Sequence, residues 1–379
     1  QVAISMVLLV GAGLFVRSLI AAQKIDPGFE GERAVVMTVA PGLTSWDRPQ
    51  RREVLHAVLD RARSLPGVES AAMASRLPLG AAIQTNEIFP VGVEVDVESP
   101  PEIDITRISP NYFETMDVPL IEGRDFTHAD DADAPLVVIL SEAAARRHWP
   151  GESAIGRSVR LGSAEAEPRT VVGVARDTKV RTLGESPRPY IYVSWMQSNE
   201  NIMSLVARTS GEPGSLLPVL QREVNTIAPD LPVMELKTMP EHMGLMLFAP
   251  RMGGILLAVF GGLAALLATV GLYGVVAYTA ARRTREVGIR VSVGARPMDV
   301  IRLMVGQGAA LVAVGAVIGL ALAFMATRPL GSMLYGIGVS DPLTFVGVGL
   351  LLLGVGLAAT LIPALRAARL DPVRALRYE

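Results

Sequence analysis

The chain has 379 residues, a formal net charge of −2 and a hydrophobic share of 50%, with a mean hydropathy of +0.39. It contains no cysteine, which excludes disulfides, thiolate zinc sites and a cysteine nucleophile. Residues 1–250 carry 23 basic and 32 acidic side chains, whereas residues 251–379 carry 12 arginines and five acids. An acidic, soluble part is therefore joined to a basic part whose arginines flank apolar runs, a pattern that does not indicate nucleic-acid binding.

The N-terminal segment is apolar from Val2 to Val16 and is then interrupted by Arg17. It begins with Gln1, and no basic residue precedes Arg17, so it lacks the positively charged start of a signal peptide. We interpret residues 1–23 as a first transmembrane helix with Arg17 near one interface, where its aliphatic stem extends towards water. We expect the natural chain to be longer at this end.

A stretch of more than 220 residues, 24–250, follows without a long apolar run. Two units with the order strand, helix, proline-ended turn and strand are predicted in it, at 34–75 and 201–236. We expect these units to share one sheet with both helices on one face, giving ferredoxin-like halves of an α+β domain. The segment between them, about 105–195, is predicted to form an inserted mixed or β subdomain.

No catalytic or cofactor motif is present in this domain. The sequence lacks a GxxxxGK[ST] phosphate loop, an HExxH pair and a GxSxG nucleophile elbow. His56, His128 and His148 lack the spacing of metal ligands, and the acidic run 128–135 lacks the glycine and glutamate of a calcium loop. We therefore predict no catalytic residue, no metal site and no cofactor, and we do not expect this chain to be an enzyme.

Three uncharged runs of 30, 25 and 23 residues occupy the C-terminal third of the chain. About 20 apolar residues suffice for a helix to cross ~30 Å of hydrocarbon, and the abundant glycine and alanine suit close helix packing in a bilayer. The absence of ionisable side chains from these runs argues against ion-coupled transport through them. The predicted order is a transmembrane helix at 251–281, a loop at 282–302, a helix at 303–327, a short loop at 328–342, a helix at 343–365 and a tail at 366–379.

The arginines of these connections indicate an orientation. The 282–302 loop carries six arginines and the 366–379 tail carries four, whereas the 328–342 loop carries only Arg328. Arginine and lysine in short loops near the ends of spans stay on the cytoplasmic side. We therefore place the 282–302 loop and the tail in the cytoplasm, and the 24–250 domain outside.

The 282–302 loop alternates charged and apolar residues at near-helical spacing. Glu286 lies three and four residues from Arg283 and Arg290, so it can pair with either arginine on one helix face. Pro297 is placed to begin the next helix. A short amphipathic helix held between two spans suits a cytoplasmic partner, but the arginines can equally serve to fix topology and contact anionic lipid. The residues alone leave both readings open.

The stretch RRTREVGIRVSVGARPMDVIRLMVGQGAALVAVGAVIGLALA resembles the C-terminal membrane region of the MacB/FtsX-like permeases, which are permeases of ABC transporters. The tail PALRAARLDPVRALRYE is similar to the terminal signature of that family. The stretches LPGVESAAMASRLPLG and ISPNYFETMDVPLIEGRDF resemble the MacB-like periplasmic core domain. The opening VLLVGAGLFVRSLIAAQKIDPGF resembles the second half of the duplicated permeases of the family.

This resemblance implies a multi-pass permease of the bacterial inner membrane with a large extracytoplasmic domain. It implies a separate ABC ATPase subunit whose ATP-driven motion reaches the outer domain, a mechanism called mechanotransmission, for export or extraction of a substrate from the envelope. It also implies contact with the lipid bilayer, a second permease half or a homodimer, and an envelope partner. The residues that would couple the loop to the ATPase are Arg283, Arg285, Glu286, Gly288, Arg290, Gly294 and Ala295.

Two other functions stay open from the sequence. The first is a non-transport regulator whose outer domain binds and activates an envelope protein, such as a cell-wall hydrolase. The second is a sensor that passes an external signal to a cytoplasmic kinase, which the absence of a dimerisation coiled coil disfavours.

Overall fold

The computed structural model describes residues 1–80, 83–96, 98–198, 200–244, 247–282 and 297–368. The chain divides into two compact units. We call residues 25–247 the central domain, and residues 1–24 together with 248–379 the helical unit.

Among the residues described, the α-helices are α1 (Val2–Ala22), α2 (Arg48–Arg63), α3 (Tyr112–Thr115), α4 (Glu142–His148), α5 (Pro213–Ile227), α6 (Met239–Gly244), α7 (Phe248–Arg282), α8 (Pro297–Ala326) and α9 (Pro342–Ala368). The strands are β1 (Ala34–Val39), β2 (Val68–Ala74), β3 (Thr85–Pro90), β4 (Glu102–Ile108), β5 (Leu120–Gly123), β6 (Val137–Ser141), β7 (Ser158–Leu161), β8 (Arg169–Ala175), β9 (Tyr190–Ser194), β10 (Met203–Thr209) and β11 (Val233–Thr238).

The helical unit consists of α1, α7, α8 and α9, four helices long and apolar enough to cross a membrane. Four apolar helices were predicted, and this is confirmed. Helices α7 and α8 begin at Phe248 and Pro297, earlier than the spans expected from 251 and 303. The helices therefore extend beyond the apolar runs and include charged residues such as Arg251 and Arg302. A prediction based on uncharged runs ends each span before such residues.

Helix α1 is the most enclosed of these four helices. In the apolar stretch of α1, 44% of the residues are buried, against 17–28% in the apolar stretches of the other three helices. Its Met6, Leu14 and Phe15 pack in one cluster with Ala316 of α8 and Leu352 of α9. The first helix of the chain is therefore the packing centre of the helical unit.

The central domain contains one antiparallel sheet ordered β11–β1–β10–β2. The units β1–α2–β2 and β10–α5–β11 thus share a sheet, as the sequence predicts. Alternate strand residues point to one face, where they meet α2 and α5 in a single buried cluster. Its members on the strands include Val35, Met37, Met73, Leu205 and Ala207, and on the helices Leu55, Val58, Leu59, Leu216 and Leu220. Asp47 begins α2 with a capping box, accepting from the Gln50 backbone N–H at 2.9 Å.

The second part of the central domain is a closed ring of six strands, ordered β4–β3–β7–β8–β6–β9, with β9 returning to pair in parallel with β4. Closure leaves none of these strands as a free edge. Ile88, Ile105, Val138, Val171 and Ile191 contribute to the apolar cluster of the ring. The ring takes in β3, so it begins before residue 105, where the insertion was expected to start.

The sheet and the ring are continuous, because β2 pairs with β4 at Ala74 and Ile108. Strand β5 adds to the ring by pairing with β8. At their junction Gly123 has a φ of +77°, and a Cβ there would lie 2.1 Å from the Val172 carbonyl oxygen. Only glycine meets both requirements at this position.

Candidate functional site

The predicted coupling residues Arg283, Arg285, Glu286, Gly288, Arg290, Gly294 and Ala295 lie outside the described residues. The described helices bracket them: α7 ends at Arg282, and α8 begins at Pro297, the proline expected to open it. The assignment of these seven residues to an ATPase contact therefore stays a prediction.

A charged cluster lies within the helical unit, between α1 and the start of α9. The Arg17 guanidinium donates a hydrogen bond to Asp341 and forms an ion pair with it. The Asp341 carboxylate also accepts from the Thr344 backbone N–H at 2.9 Å and from the Thr344 hydroxyl at 2.7 Å, so it stabilises the first turn of α9. The Thr344 hydroxyl, together with Arg17, holds the pKa of Asp341 below its ordinary value.

Arg17 was expected to lie near one interface of the membrane. Helix α1 continues through Arg17 to Ala22, within the predicted span 1–23, and the guanidinium has a carboxylate partner that was not predicted. The sequence signal for that partner was weak, since Asp341 is a single acid next to Pro342 in the short 328–342 loop. It becomes informative only once α1 and α9 are known to be adjacent.

The loop before α9 is attached to α1 at a second point. The buried Ser18 hydroxyl oxygen accepts a hydrogen bond from the Tyr335 backbone N–H at 2.6 Å. Nearby, a Cβ on Gly13 would lie 2.7 Å from the Thr344 methyl carbon, so α1 and α9 approach closely here. Arg17, Ser18 and Gly13 together fix the position of α1 against the segment that leads into α9.

The central domain contains a buried carboxylate in a charged network. Asp104 on β4 is 3% exposed at its side chain and pairs with Arg181 at 2.5 Å and with Arg188 at 3.2 Å. Both arginines lie in the segment between β8 and β9, so the carboxylate attaches that segment to the ring. Two arginines on one buried acid satisfy its charge, and this arrangement is structural rather than reactive.

The acidic run at 128–135 was not expected to be a calcium site. Asp130 within it is buried and accepts two hydrogen bonds from Arg124, at 2.7 and 2.8 Å. It also accepts from the Thr127 backbone N–H at 2.8 Å. The neighbouring Asp131 accepts from two backbone N–H groups of its own loop. Within the described part of the chain no group of three or more metal-ligating side chains is found.

Of the histidines of the central domain, His242 is buried, His56 and His148 are half-buried, and His128 is exposed. Burial lowers the pKa of His148 to about 4 and lowers that of His56 and His242. His242 contacts the Pro78 carbonyl oxygen at 3.2 Å. These side chains serve packing and local hydrogen bonding, as expected for His56 and His148.

Two family models match the chain. Residues 2–225 match the MacB-like periplasmic core domain, and residues 258–372 match the FtsX-like permease C-terminal region.

The similar proteins include two from pseudomonads and one solved structure from another bacterium. The pyoverdine export ATP-binding/permease protein PvdT of Pseudomonas putida is 26% identical over 278 residues, which covers 70% of this chain and 41% of that protein. A probable export ATP-binding/permease protein MacB of Pseudomonas entomophila is 28% identical over 295 residues, with 73% and 42% covered. The periplasmic region of MacB from Actinobacillus actinomycetemcomitans aligns with a TM-score of 0.37 and 16% identity, over 55% of this chain and 90% of that structure. This chain spans about two fifths of the length of the curated relatives it matches.

Four apolar helices joined to an α+β domain define a multi-pass membrane protein with an extracytoplasmic domain. The chain belongs to the family of permeases that combine a MacB-like periplasmic core domain with an FtsX-like C-terminal region. The family resemblance predicted from the sequence is confirmed.

Proposed function

We propose that this chain is the permease part of an ABC exporter in a bacterial inner membrane. It would couple ATP hydrolysis by an ABC ATPase to motion of the central domain and so drive export or extraction of a substrate from the envelope. The observation that carries this proposal is the order of the two matched regions, 2–225 and 258–372, around four apolar helices. The matched relatives are named as export ATP-binding/permease proteins.

Mechanotransmission is the mode of action we infer. The spans Gly308–Ala326 and Pro342–Ile362 contain no ionisable side chain that could relay an ion or a charged substrate. Arg17, within α1, is engaged by Asp341. A permease built this way suits the transmission of motion better than passage of a charged solute between its helices.

We also infer that α7 and α8 contact lipid and a second permease half or a second copy of the chain. Large apolar side chains on these helices are exposed in the single chain, among them Leu263, Leu266, Val314 and Val317. Apolar surface of this kind needs either lipid or another helix. The predicted cytoplasmic loop would contact the ATPase, and an envelope partner would contact the central domain.

For the central domain we infer a ferredoxin-like relationship between the two strand–helix–strand units. The fully antiparallel order β11–β1–β10–β2, with α2 and α5 on one face, supports it. The closed ring of strands would then be an insertion between the two halves.

The test is affinity purification of the full chain from its native membrane after mild cross-linking. We expect an ABC ATPase to co-purify and its ATPase activity to depend on the chain after reconstitution into lipid. Recovery of an envelope enzyme whose activity the chain stimulates, without any ATPase, would instead support the non-transport regulator.

A further inference from the structure

The central domain contains a small, open pocket beside the start of α2, which we call the arginine pocket. It is lined by Arg48, Arg51, Arg52, Trp195, Ser198 and Glu200, with Leu55 and Met203 at its apolar side.

Arg48, Arg51 and Arg52 lie at the end of α2 where the helix dipole disfavours positive charge. They occupy the first five residues of α2, where the N-terminal end of the helix dipole favours acidic side chains. Arg51 is anchored by hydrogen bonds to the Trp46 carbonyl oxygen at 2.9 Å and to Asn201 Oδ1 at 3.1 Å. Within the described part of the chain, Arg48 and Arg52 form no hydrogen bond and no ion pair. No contact of Arg48 or Arg52 within the described residues stabilises the fold in a way that would account for their position.

The acids nearest the pocket do not neutralise it. Glu200 forms an ion pair at 3.0 Å with Arg107, which lies outside the pocket lining. Asp47 accepts from the Gln50 backbone N–H and so caps the helix. The pocket therefore keeps an excess of positive charge.

A second and independent feature of the pocket is the indole of Trp195. The residue is only 7% exposed, and its Nε1–H group is buried with no acceptor among the described residues. A buried N–H group without an acceptor is unfavourable and rare in folded proteins. The His56 ring lies 4.6 Å from the indole ring, centroid to centroid, and fixes its orientation by packing. Trp195 thus lines a basic pocket and carries a buried indole N–H group without an acceptor among the described residues.

We propose that the arginine pocket binds a small, free anionic ligand through a carboxylate or phosphate group. The oxyanion would accept hydrogen bonds from the Trp195 indole and from the guanidinium groups of Arg48 and Arg52, with the Ser198 hydroxyl as a further donor. Guanidinium groups match both kinds of oxyanion in geometry and charge. This binding does not depend on the coupling to an ATPase proposed above, since every group that takes part lies in the central domain.

The test uses the full chain in detergent, titrated by calorimetry and tryptophan fluorescence. The probes are inorganic phosphate and citrate, each against sodium chloride at matched ionic strength. The pocket variants are the double substitution Arg48→Gln/Arg52→Gln and the single substitution Trp195→Phe, which keeps an aromatic ring and removes the N–H group. The charge-matched control is Arg147→Gln/Arg222→Gln, since both of these arginines are exposed and lie away from the pocket.

We expect saturable binding of at least one probe by the unmodified chain. The double pocket variant should bind at least about tenfold more weakly, because each lost hydrogen bond involves a charged group. Trp195→Phe should weaken binding several-fold while the circular dichroism spectrum stays unchanged, and the control should change affinity less than about twofold.

Three results would overturn the proposal. The first is no saturable binding of either probe, and the second is an equal loss of affinity in the control variant. The third is binding of phosphatidylglycerol in mixed micelles without binding of either free ion, which would identify a lipid headgroup as the ligand instead.

Discussion

Arg17 and Asp341 are 324 positions apart in the sequence and form an ion pair within the helical unit. The Arg17 side chain is 38% exposed and that of Asp341 is 13% exposed, so the pair is partly shielded from water. The pair attaches the enclosed helix α1 to the first turn of α9, and the stability of this contact can be measured directly.

The first prediction is a coupling energy between these two residues. Arg17→Gln and Asp341→Asn should each lower the melting temperature in detergent, and the double variant should lose less than the sum. We expect a coupling on the order of 1 kcal/mol, as found for contacting residues in one network. The exposed pair Glu142–Arg146, 2.6 Å apart on α4, is the control, with an expected coupling of about 0.3–0.5 kcal/mol. Strictly additive effects at Arg17 and Asp341 would show that the contact does not stabilise the fold.

The second prediction concerns orientation. The arginine-rich 282–302 loop and the 366–379 tail predict that this side of the helical unit faces the cytoplasm. A cysteine at the exposed Ser163 should react with an impermeant thiol reagent in intact spheroplasts. A cysteine at Thr284 should react only after lysis. The chain has no natural cysteine, so the unmodified protein is the blank. The reverse labelling pattern would invert the topology.

The third prediction is that residues 25–247 fold by themselves. They form one compact unit with two apolar clusters, one under α2 and α5 and one in the ring. We expect a soluble, monodisperse protein with a mixed α and β circular dichroism spectrum and a cooperative thermal transition. Gly123→Ala should abolish or severely weaken that transition, because the added Cβ would clash with backbone. A purely helical spectrum for the unmodified domain would contradict the expectation.

The fourth prediction separates the two interpretations of the predicted cytoplasmic loop. Glu286→Arg adds positive charge on the predicted cytoplasmic side, so insertion should be preserved. At a contact with an ATPase, a misplaced charge costs on the order of 2–5 kcal/mol if it is buried. We therefore expect normal abundance but loss of ATPase co-purification, and the same outcome for Gly294→Leu.

The matched control for Glu286→Arg is Asp371→Arg, which makes the same charge change in the predicted cytoplasmic tail. It should keep ATPase binding. Full ATPase binding by both loop variants would leave only the role of fixing topology and contacting lipid.

The fifth prediction is a pH dependence in the central domain. Burial raises the pKa of Asp125 to about 6, although backbone N–H groups of Phe126 and Asn111 donate to its carboxylate. A carboxyl group whose pKa is higher in the folded state binds more protons there than in the unfolded chain. Its contribution to stability is therefore greatest at low pH and is lost as the pH rises from about 4 to about 6.

Asp125→Asn should remove this part of the pH dependence, and its free energy of unfolding should change less between pH 4 and pH 6 than that of the unmodified domain. After allowance for solvent screening, the difference should be on the order of 1–2 kcal/mol. Denaturant unfolding of residues 25–247 at several pH values measures it, with the exposed Asp230→Asn as control. Identical pH profiles for Asp125→Asn and the unmodified domain would contradict the assignment.

The features that were predicted correctly from the sequence are those that depend on residues close together in the chain. Apolar run length predicted four membrane-spanning helices, and the repeated order of strand, helix, turn and strand predicted one sheet for two distant units. Helix α4 likewise begins after Ser141, a residue type typical of helix starts, whose hydroxyl accepts from the Ala144 backbone N–H at 3.2 Å.

What the sequence did not predict depends on contacts between distant residues. Strand propensity does not specify that β9 pairs in parallel with β4 and closes a ring. The Arg17–Asp341 pair and the arginine pocket join residues from separate segments, so no spacing rule indicates them. The predicted coupling residues rest on resemblance and charge pattern alone.

The position of α1 at the packing centre of the helical unit has a consequence for how the protein is made. Its partners α7, α8 and α9 are translated only after the whole central domain. Asp341 follows Arg17 by 324 residues, which at 5–20 residues per second corresponds to a delay of roughly 16–65 s. During biosynthesis α1 must therefore remain in the bilayer without its contact to Asp341 until the central domain has emerged, and α7, α8 and α9 pack against it only afterwards.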